Sequence, residues 1–331
     1  MAGKRAKNLF NSVADFEHLR LSAYKARKRV RKTEELCAFF FELESHLLQL
    51  QQDLLHETYE PEPFRIFAIE KPKPRLIQAS VFRDRVVHHA LCSVIAPHLE
   101  RSYLANSFAC QLGKGGHRAV QATKNLSQRF AWYGKIDIHH FFETLHHPTL
   151  MRLLKRRLAD KKILSLINRI IHHGRSPQST NRGVPIGNLT SQHFANFYLD
   201  RLDHHLVEQL SIKAMIRYMD DVLFFAHDKR TIIDALVNIA DFVQEHLQLR
   251  LKDSATVVAP SSIGIPFLGF RIYPTHIRFD QRRKKRFILA YKRILAQSSS
   301  EKEMTDSLNS LFAWAMQANT LSLRRDLIYG A

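Results

Sequence analysis

The stretch Ile216-Arg217-Tyr218-Met219-Asp220-Asp221-Val222-Leu223-Phe224-Phe225 sets two adjacent carboxylates inside an apolar run. β-Branched and aromatic residues on both sides predict two strands. A tight turn between Met219 and Val222 then puts both acids at the tip of a hairpin with buried flanks. Ionised carboxylates against such flanks cost several kcal/mol unless compensated, and divalent cations are the usual compensation. Mg²⁺ is a hard ion that takes carboxylate oxygens together with phosphate oxygens. An Asp-Asp pair alone is common on solvated loops; the apolar setting singles this one out.

A third acid belongs with them. Ala131 to Ile138 reads as a strand closing on Asp137, followed by His139-His140-Phe141-Phe142. Two-metal nucleotidyl transfer draws ligands from at least two chain segments, because the ions sit roughly 3.5–4 Å apart and clamp the attacking and leaving oxygens. One Asp from a first strand and two from a later hairpin supply such a cage. Read alone, Asp137 is as readily a cap for the next helix.

The 331 residues are enough for two or three subdomains, and 45% hydrophobic content with only 11 Gly and 11 Pro marks a globular chain. Fifty Lys and Arg against 31 Asp and Glu give a formal charge of +19. No acidic segment offsets it, so the partner is expected to be a polyanion, nucleic acid above all. Cys37, Cys92 and Cys110 lie far apart without CxxC spacing and read as buried thiols of a reducing cytoplasm. No apolar run is long enough to span a membrane. Five His-His pairs (88–89, 139–140, 146–147, 172–173 and 204–205) do not share a helix face. They are expected to be solvated or to face phosphate rather than to bind zinc.

Residues 1–33 are strongly basic with Leu9, Phe10, Phe16, Leu19 and Leu21 at helical spacing, and predict a basic helical arm lying on RNA. One amphipathic helix is expected over 34–55, a strand over 64–69, a turn at Lys71-Pro72-Lys73-Pro74 and a helix over 82–99. A strand pair is expected over 265–272, with helical, basic chain from Lys284 onward.

Tyr218-Met219-Asp220-Asp221, Asp137 and the order of the surrounding blocks resemble the reverse transcriptases over almost the full length. The resemblance implies an α/β right-hand polymerase with fingers, a palm with an antiparallel sheet, and a short helical thumb. The parts expected are a basic N-terminal arm (1–33), fingers with the first palm elements (34–130), a palm (131–272) and a basic thumb (273–331). It implies two Mg²⁺ ions held by Asp137, Asp220 and Asp221, with the Ile138 carbonyl as a further ligand. Lys73 and Arg75 resemble the fingers residues that hold the incoming dNTP. Phe142 takes the place of the aromatic that excludes a 2′-hydroxyl. Lys252 is placed to neutralise the leaving pyrophosphate. Tyr218, Met219, Leu268 and Gly269 are expected against template and primer. Where such enzymes usually carry Arg, this chain has Gln111, which removes one expected phosphate or template contact and leaves open whether Lys114 compensates.

Val184-Pro185-Ile186-Gly187-Asn188-Leu189-Thr190-Ser191-Gln192 narrows the resemblance. Ile-Gly-x-x-x-Ser-Gln is similar to the enzymes of diversity-generating retroelements, where the block is associated with misincorporation opposite template adenines. Ile186 cannot hydrogen-bond a base, whereas a site built to pair a polar group discriminates by that pairing. Ile186, Gly187 and Gln192 are therefore expected at the nascent base pair. Such enzymes copy a structured template RNA into cDNA and work with a small basic accessory protein, an expected partner here. At Leu311 and Trp314 the chain departs from that family's thumb pattern. This leaves two alternatives open: an antiphage reverse transcriptase copying its own noncoding RNA, and a non-catalytic RNA-binding scaffold.

Overall fold

The computed structural model describes residues 5–28, 30–69, 75–174, 181–298 and 300–329. Along the chain come α1 (Phe10–Val13), α2 (Phe16–Arg27), α3 (Glu34–Phe41), α4 (Leu43–Leu55), β1 (Arg65–Ile69), β2 (Arg75–Ala79) and α5 (Phe82–Glu100). They are followed by α6 (Gly116–Arg129), β3 (Trp132–Ile136), α7 (Phe141–Thr144), α8 (His147–Lys155), α9 (Lys161–His173) and α10 (Leu189–His204). Next are β4 (Met215–Tyr218), β5 (Asp221–Ala226), α11 (Lys229–Leu247), β6 (Val257–Pro260), β7 (Ile265–Phe267), β8 (Phe270–Ile272) and β9 (Ile277–Phe279). Helices α12 (Gln281–Gln297), α13 (Glu301–Ala315) and α14 (Leu321–Tyr329) close the chain. Contacts divide it into two compact units. The first comprises Met1–Leu104, Ile138–His204 and Ala240–Leu251; the second comprises Ala105–Asp137, His205–Ile239 and Lys252–Ala331.

The first unit is built around α5, against which α2 and α10 pack. That helix is buried on more than one face, which is why its sequence lacks a clean amphipathic stripe. Leu19, Ala23 and Ala26 of α2 are buried, while Lys25, Arg27 and Lys28 face outward. The stretch expected as a basic arm thus docks its apolar side on its own unit and shows solvent the charged side. Asp84 on α5 accepts from the Tyr59 hydroxyl at 2.7 Å and the Glu62 amide at 2.8 Å. Burial pushes its carboxyl up from the ordinary range, and these bonds oppose the shift.

Three sequence expectations are corrected in this unit. The single helix over 34–55 is two, broken at Glu42 (φ −112°, ψ 38°). The break lets Phe39 and Phe40 meet Phe82, with ring centroids at 4.9 and 5.7 Å. Cys37 is exposed rather than buried, on the solvent side of α3, whereas Cys92 is buried and Cys110 half-buried. The histidine pairs are not uniformly solvated. His88 is buried, which drives its pKa down to about 3, and buried His147 donates through Nε2 to the Gly183 carbonyl at 2.6 Å.

The second unit carries a four-stranded antiparallel sheet in the order β4-β5-β3-β6, and a three-stranded antiparallel sheet β7-β8-β9. Tyr133, Ile216, Leu223 and Phe225 from the first, with Ile265, Phe267, Phe270 and Ile272 from the second, share one core beneath α6. The second sheet runs past residue 272 through β9, because Ile277 pairs with Ile272. On the central strand, Gly134 stands opposite Phe224. A Cβ at Gly134 would lie only 2.3 Å from the Phe224 ring, so the ring occupies the space a side chain would need. Gly134→Val is expected to destabilise the protein by about 2–3 kcal/mol, the cost of overpacking. Combining it with Phe224→Leu should recover part of that loss in a double-mutant cycle of denaturant unfolding; purely additive losses would contradict this packing.

Candidate active site

Strands β4 and β5 are joined by Met219 and Asp220, with Tyr218 paired to Asp221. Met219 adopts a left-handed conformation (φ 57°), which lets the chain reverse in so few residues. On the other side of β5, Ile136 pairs with Val222. Continuing that antiparallel register by one step sets Asp137 opposite Asp221. All three acids therefore come to the same end of the sheet. The amide of Lys252 donates to the Asp137 carbonyl at 2.9 Å, so Lys252 stands beside Asp137. Ile138, opposite Leu251, begins the other unit, and its carbonyl takes no part in the two bonds of that bridge.

Asp137 is the acid that bears most strongly on the Asp220 carboxyl. Burial first, then repulsion from Asp137, pushes the Asp220 carboxyl up. Burial pushes Asp221 up to about 6, against the pull of the Lys135 ammonium. Lys135 Nζ lies 3.1 Å from Asp221 Oδ1 and 3.2 Å from Oδ2, and donates to the Pro266 carbonyl at 2.8 Å. Sequence reasoning missed Lys135. The signal was present, since alternate residues of a strand share a face and Lys135 stands two before Asp137.

Reverse transcriptase domains in general use divalent metal ions. Among the described residues no three His, Cys, Asp or Glu side chains gather into a ready metal cage. The donor set nevertheless suits a hard divalent ion. It consists of carboxylate oxygens, held partly out of water, whose repulsion a cation would relieve.

The residues expected at template and primer fall together. Leu268 (φ 48°) and Gly269 (φ 78°) form the turn between β7 and β8, both left-handed. A Cβ on Gly116, the first residue of α6, would lie 3.6 Å from Leu268 Cδ1 and 4.0 Å from Tyr218 Cε2, so three segments converge there. Met219 Sδ lies 3.8 Å from Cys110 Sγ. Lys114 closes its own loop. Its ammonium donates to the carbonyls of Ala105 (2.9 Å) and Ser107 (2.7 Å), and Gln111 also donates to Ser107.

Phe142, Ile186, Gly187 and Gln192 belong to the first unit. Phe142 is half-buried with its ring 5.7 Å from that of buried Phe141, and its carbonyl accepts from the Val184 amide at 2.7 Å. Ile186 is half-buried, while Gly187 and Gln192 are exposed. Gly187 (φ 112°) lines a pocket of about 330 Å³ together with Ile77, Ser80, Arg85, His89 and Asn188. Lys73 and the side chain of Arg75 lie outside the described residues.

This fold is that of a right-hand polymerase. The structure of telomerase from Candida albicans in complex with a fragment of telomeric RNA superposes with a TM-score of 0.51 at 14% identity, covering 77% of this chain and 55% of that one. Residues 69–272 match the family model described as reverse transcriptase (RNA-dependent DNA polymerase). Because that match spans more than half of the sequence, the chain belongs to the reverse transcriptase family. It is 25% identical over 277 residues to Protein YkfC of Escherichia coli K12, covering 71% of this chain and 73% of that protein. It is 27% identical over 177 residues to the group II intron-encoded protein LtrA of Lactococcus lactis subsp. cremoris, covering 51% and 29%. The putative COX1/OXI3 intron 2 protein of Saccharomyces cerevisiae is 21% identical over 293 residues, covering 70% and 34%. The chain thus spans about a third of the length of these two intron proteins. Among the described residues no helix is long and apolar enough to cross a membrane.

The raised carboxyls set a pH dependence. A carboxyl whose folded pKa exceeds its unfolded value costs the fold stability once ionised, so that cost grows as pH rises from 3.8 towards neutrality. Without metal, Asp220→Asn is expected to melt several degrees above wild type at pH 7.5, with the margin closing by about pH 4. Thermal melts in EDTA across that range test it, and a margin independent of pH would refute the assignment.

Proposed function

We propose that this protein copies a structured RNA into cDNA, with Asp137, Asp220 and Asp221 holding two Mg²⁺ ions. The observation that carries the reading is the arrival of all three acids at one end of the β3–β5 register, beside the apolar strands β4 and β5. Bound metal would supply an activated primer hydroxyl and charge neutralisation on the triphosphate. The chain's own part is to hold the carboxylates, with the Lys252 amide fixing the Asp137 carbonyl. Ile138 next to Asp137 is a candidate carbonyl ligand, and Lys252 a candidate pyrophosphate contact. Lys73, Arg75, Phe142, Ile186, Gly187 and Gln192 are proposed to contact the nucleotide; Tyr218, Met219, Leu268 and Gly269 are proposed to contact template and primer. The charge of +19 suits recognition of RNA through its backbone and shape.

Within this reading we favour error-prone synthesis at template adenines. The support is Ile186 in the Ile-Gly-x-x-x-Ser-Gln block, an apolar side chain left half-buried beside exposed Gly187. A small basic protein subunit would complete such an enzyme. An antiphage role with the same chemistry differs only in which RNA is copied, and sequencing the RNA and cDNA that purify with the protein separates the two. Changes clustered at adenines favour diversification, and faithful or repetitive cDNA favours defence.

The joint substitution Asp220→Asn/Asp221→Asn is expected to lower primer extension at least about a thousandfold, as removal of metal-held charge stabilisation does. Persisting extension would overturn the site. Ile186→Gln is expected to cut misincorporation opposite adenine several-fold, on the order of the discrimination one added hydrogen bond supplies. Deep sequencing of products reads this out, and an unchanged error spectrum removes the fidelity argument.

A further inference from the structure

Lys135 is the one cation that the structure sets directly on a catalytic acid, among the described residues of the second unit. Its ammonium straddles both oxygens of Asp221 at 3.1 and 3.2 Å. The pair is sheltered, with 16% of the Lys135 side chain and 25% of the Asp221 side chain exposed. A lysine held this far from bulk water interacts with its carboxylate more strongly than a surface pair does. Lys135 also has a second seat. The same ammonium donates to the Pro266 carbonyl at 2.8 Å and lies 6.0 Å from the Phe267 ring centroid. Pro266 and Phe267 are on β7, which leads into the Leu268-Gly269 turn.

We propose that Lys135 is a positioning residue that acts as a built-in cation on Asp221, giving up that carboxylate when a divalent metal arrives. The proposal rests on reading Asp137, Asp220 and Asp221 as metal ligands. Three carboxylates gathered at one strand end repel one another. Without metal, a tethered ammonium lowers that repulsion and keeps Asp221 in its orientation. With metal, Asp221 turns its oxygens to the stronger charge, and the ammonium stays on the Pro266 carbonyl, so it need not leave for solvent. The arrangement links metal occupancy to the strand that carries the Leu268 turn. Its cost is competition: every ion that binds displaces a positive charge from Asp221.

The test is Mn²⁺ binding to the full chain, followed by electron paramagnetic resonance without nucleic acid or dNTP. Removing a neighbouring positive charge in a partly sheltered site should tighten binding of a cation, by roughly tenfold for Lys135→Met. Lys135→Arg keeps the charge and should bind Mn²⁺ as wild type does. Primer extension by Lys135→Met should fall although its metal binds more tightly, a divergence that simple loss of packing cannot produce. Weaker or unchanged Mn²⁺ binding by Lys135→Met overturns the proposal. Lys135→Gln repeats the measurement with a neutral polar side chain should the methionine variant fail to fold. Asp220→Asn is the control. If it leaves Mn²⁺ binding intact, the metal-centre reading itself is wrong. If it weakens binding while the neutral Lys135 variants do not tighten it, only the role of Lys135 fails.

Discussion

A guanidinium with no exposed surface lies under the acid-bearing turn. Arg217 is wholly buried on β4, a placement that is costly unless its donors are used. Two of its bonds reach the residues that matter: Nη2 donates to Ser107 Oγ at 3.0 Å and Nη1 to the Met219 carbonyl at 3.3 Å. The backbone repeats the connection, with the Arg217 amide on the Asn106 carbonyl at 3.0 Å and the Phe108 amide on the Arg217 carbonyl at 2.9 Å. Residues 106–108 thereby cover the outer edge of β4, which would otherwise present unpaired backbone groups. Ser107 then gathers Gln111 and Lys114 onto its carbonyl, so the loop that leads to α6 is set from the same point. Through Gly116 that loop reaches Tyr218 and Leu268. One buried cation thus fixes the turn holding Asp220 and the loop beside it.

The meeting of the three candidate acids is legible because strands impose a period of two and a hairpin imposes a register. Asp137 and Asp220-Asp221 stood at the ends of apolar runs, and antiparallel pairing of those runs brings them together. Lys135 obeyed the same period and was overlooked, since a lysine inside a strand reads as an outward-facing charge. Arg217 carried no signal at all, because its burial depends on Ser107 and Asn106, more than a hundred residues earlier. The break at Glu42 was hidden for a similar reason: the helix over 34–55 was periodic enough locally, but Phe39 and Phe40 answer to Phe82. The basic arm expected over residues 1–33 shows its helical spacing in α2, where the side packed on α5 is made of Leu19 and small residues such as Ala23 and Ala26, which composition alone does not single out.

Net charge does not say what an individual cation touches. In a chain with a formal charge of +19, a lysine near the site is easily read as a ligand contact. Lys114 spends its donors on two backbone carbonyls of its own loop. Lys135 spends its donors on Asp221 and Pro266. Both cations act first on the protein's own geometry, and net charge says only that the surface as a whole attracts a polyanion.

Backbone strain follows the same geography. Of the four described non-glycine residues with left-handed backbone in the second unit, Ser211 precedes β4, while Cys110, Met219 and Leu268 lie on the loop before α6, the acid-bearing turn and the β7–β8 turn. Each such residue costs on the order of 1 kcal/mol or more and persists only where its surroundings over-determine it. At Met219 the Arg217 bond to its carbonyl does so; at Leu268 the neighbouring Gly269 is closed in by Arg283, whose Nε would lie 2.8 Å from any added Cβ. The bond from Arg217 thus ties the turn that carries Asp220 to the buried guanidinium. Burial and repulsion from Asp137 raise the Asp220 carboxyl, so these acids are held together at some expense to the fold. Under the proposed reading of these acids as metal ligands, that expense would lower the reorganisation required on binding an ion, which is how a preorganised centre turns folding energy into affinity for charge.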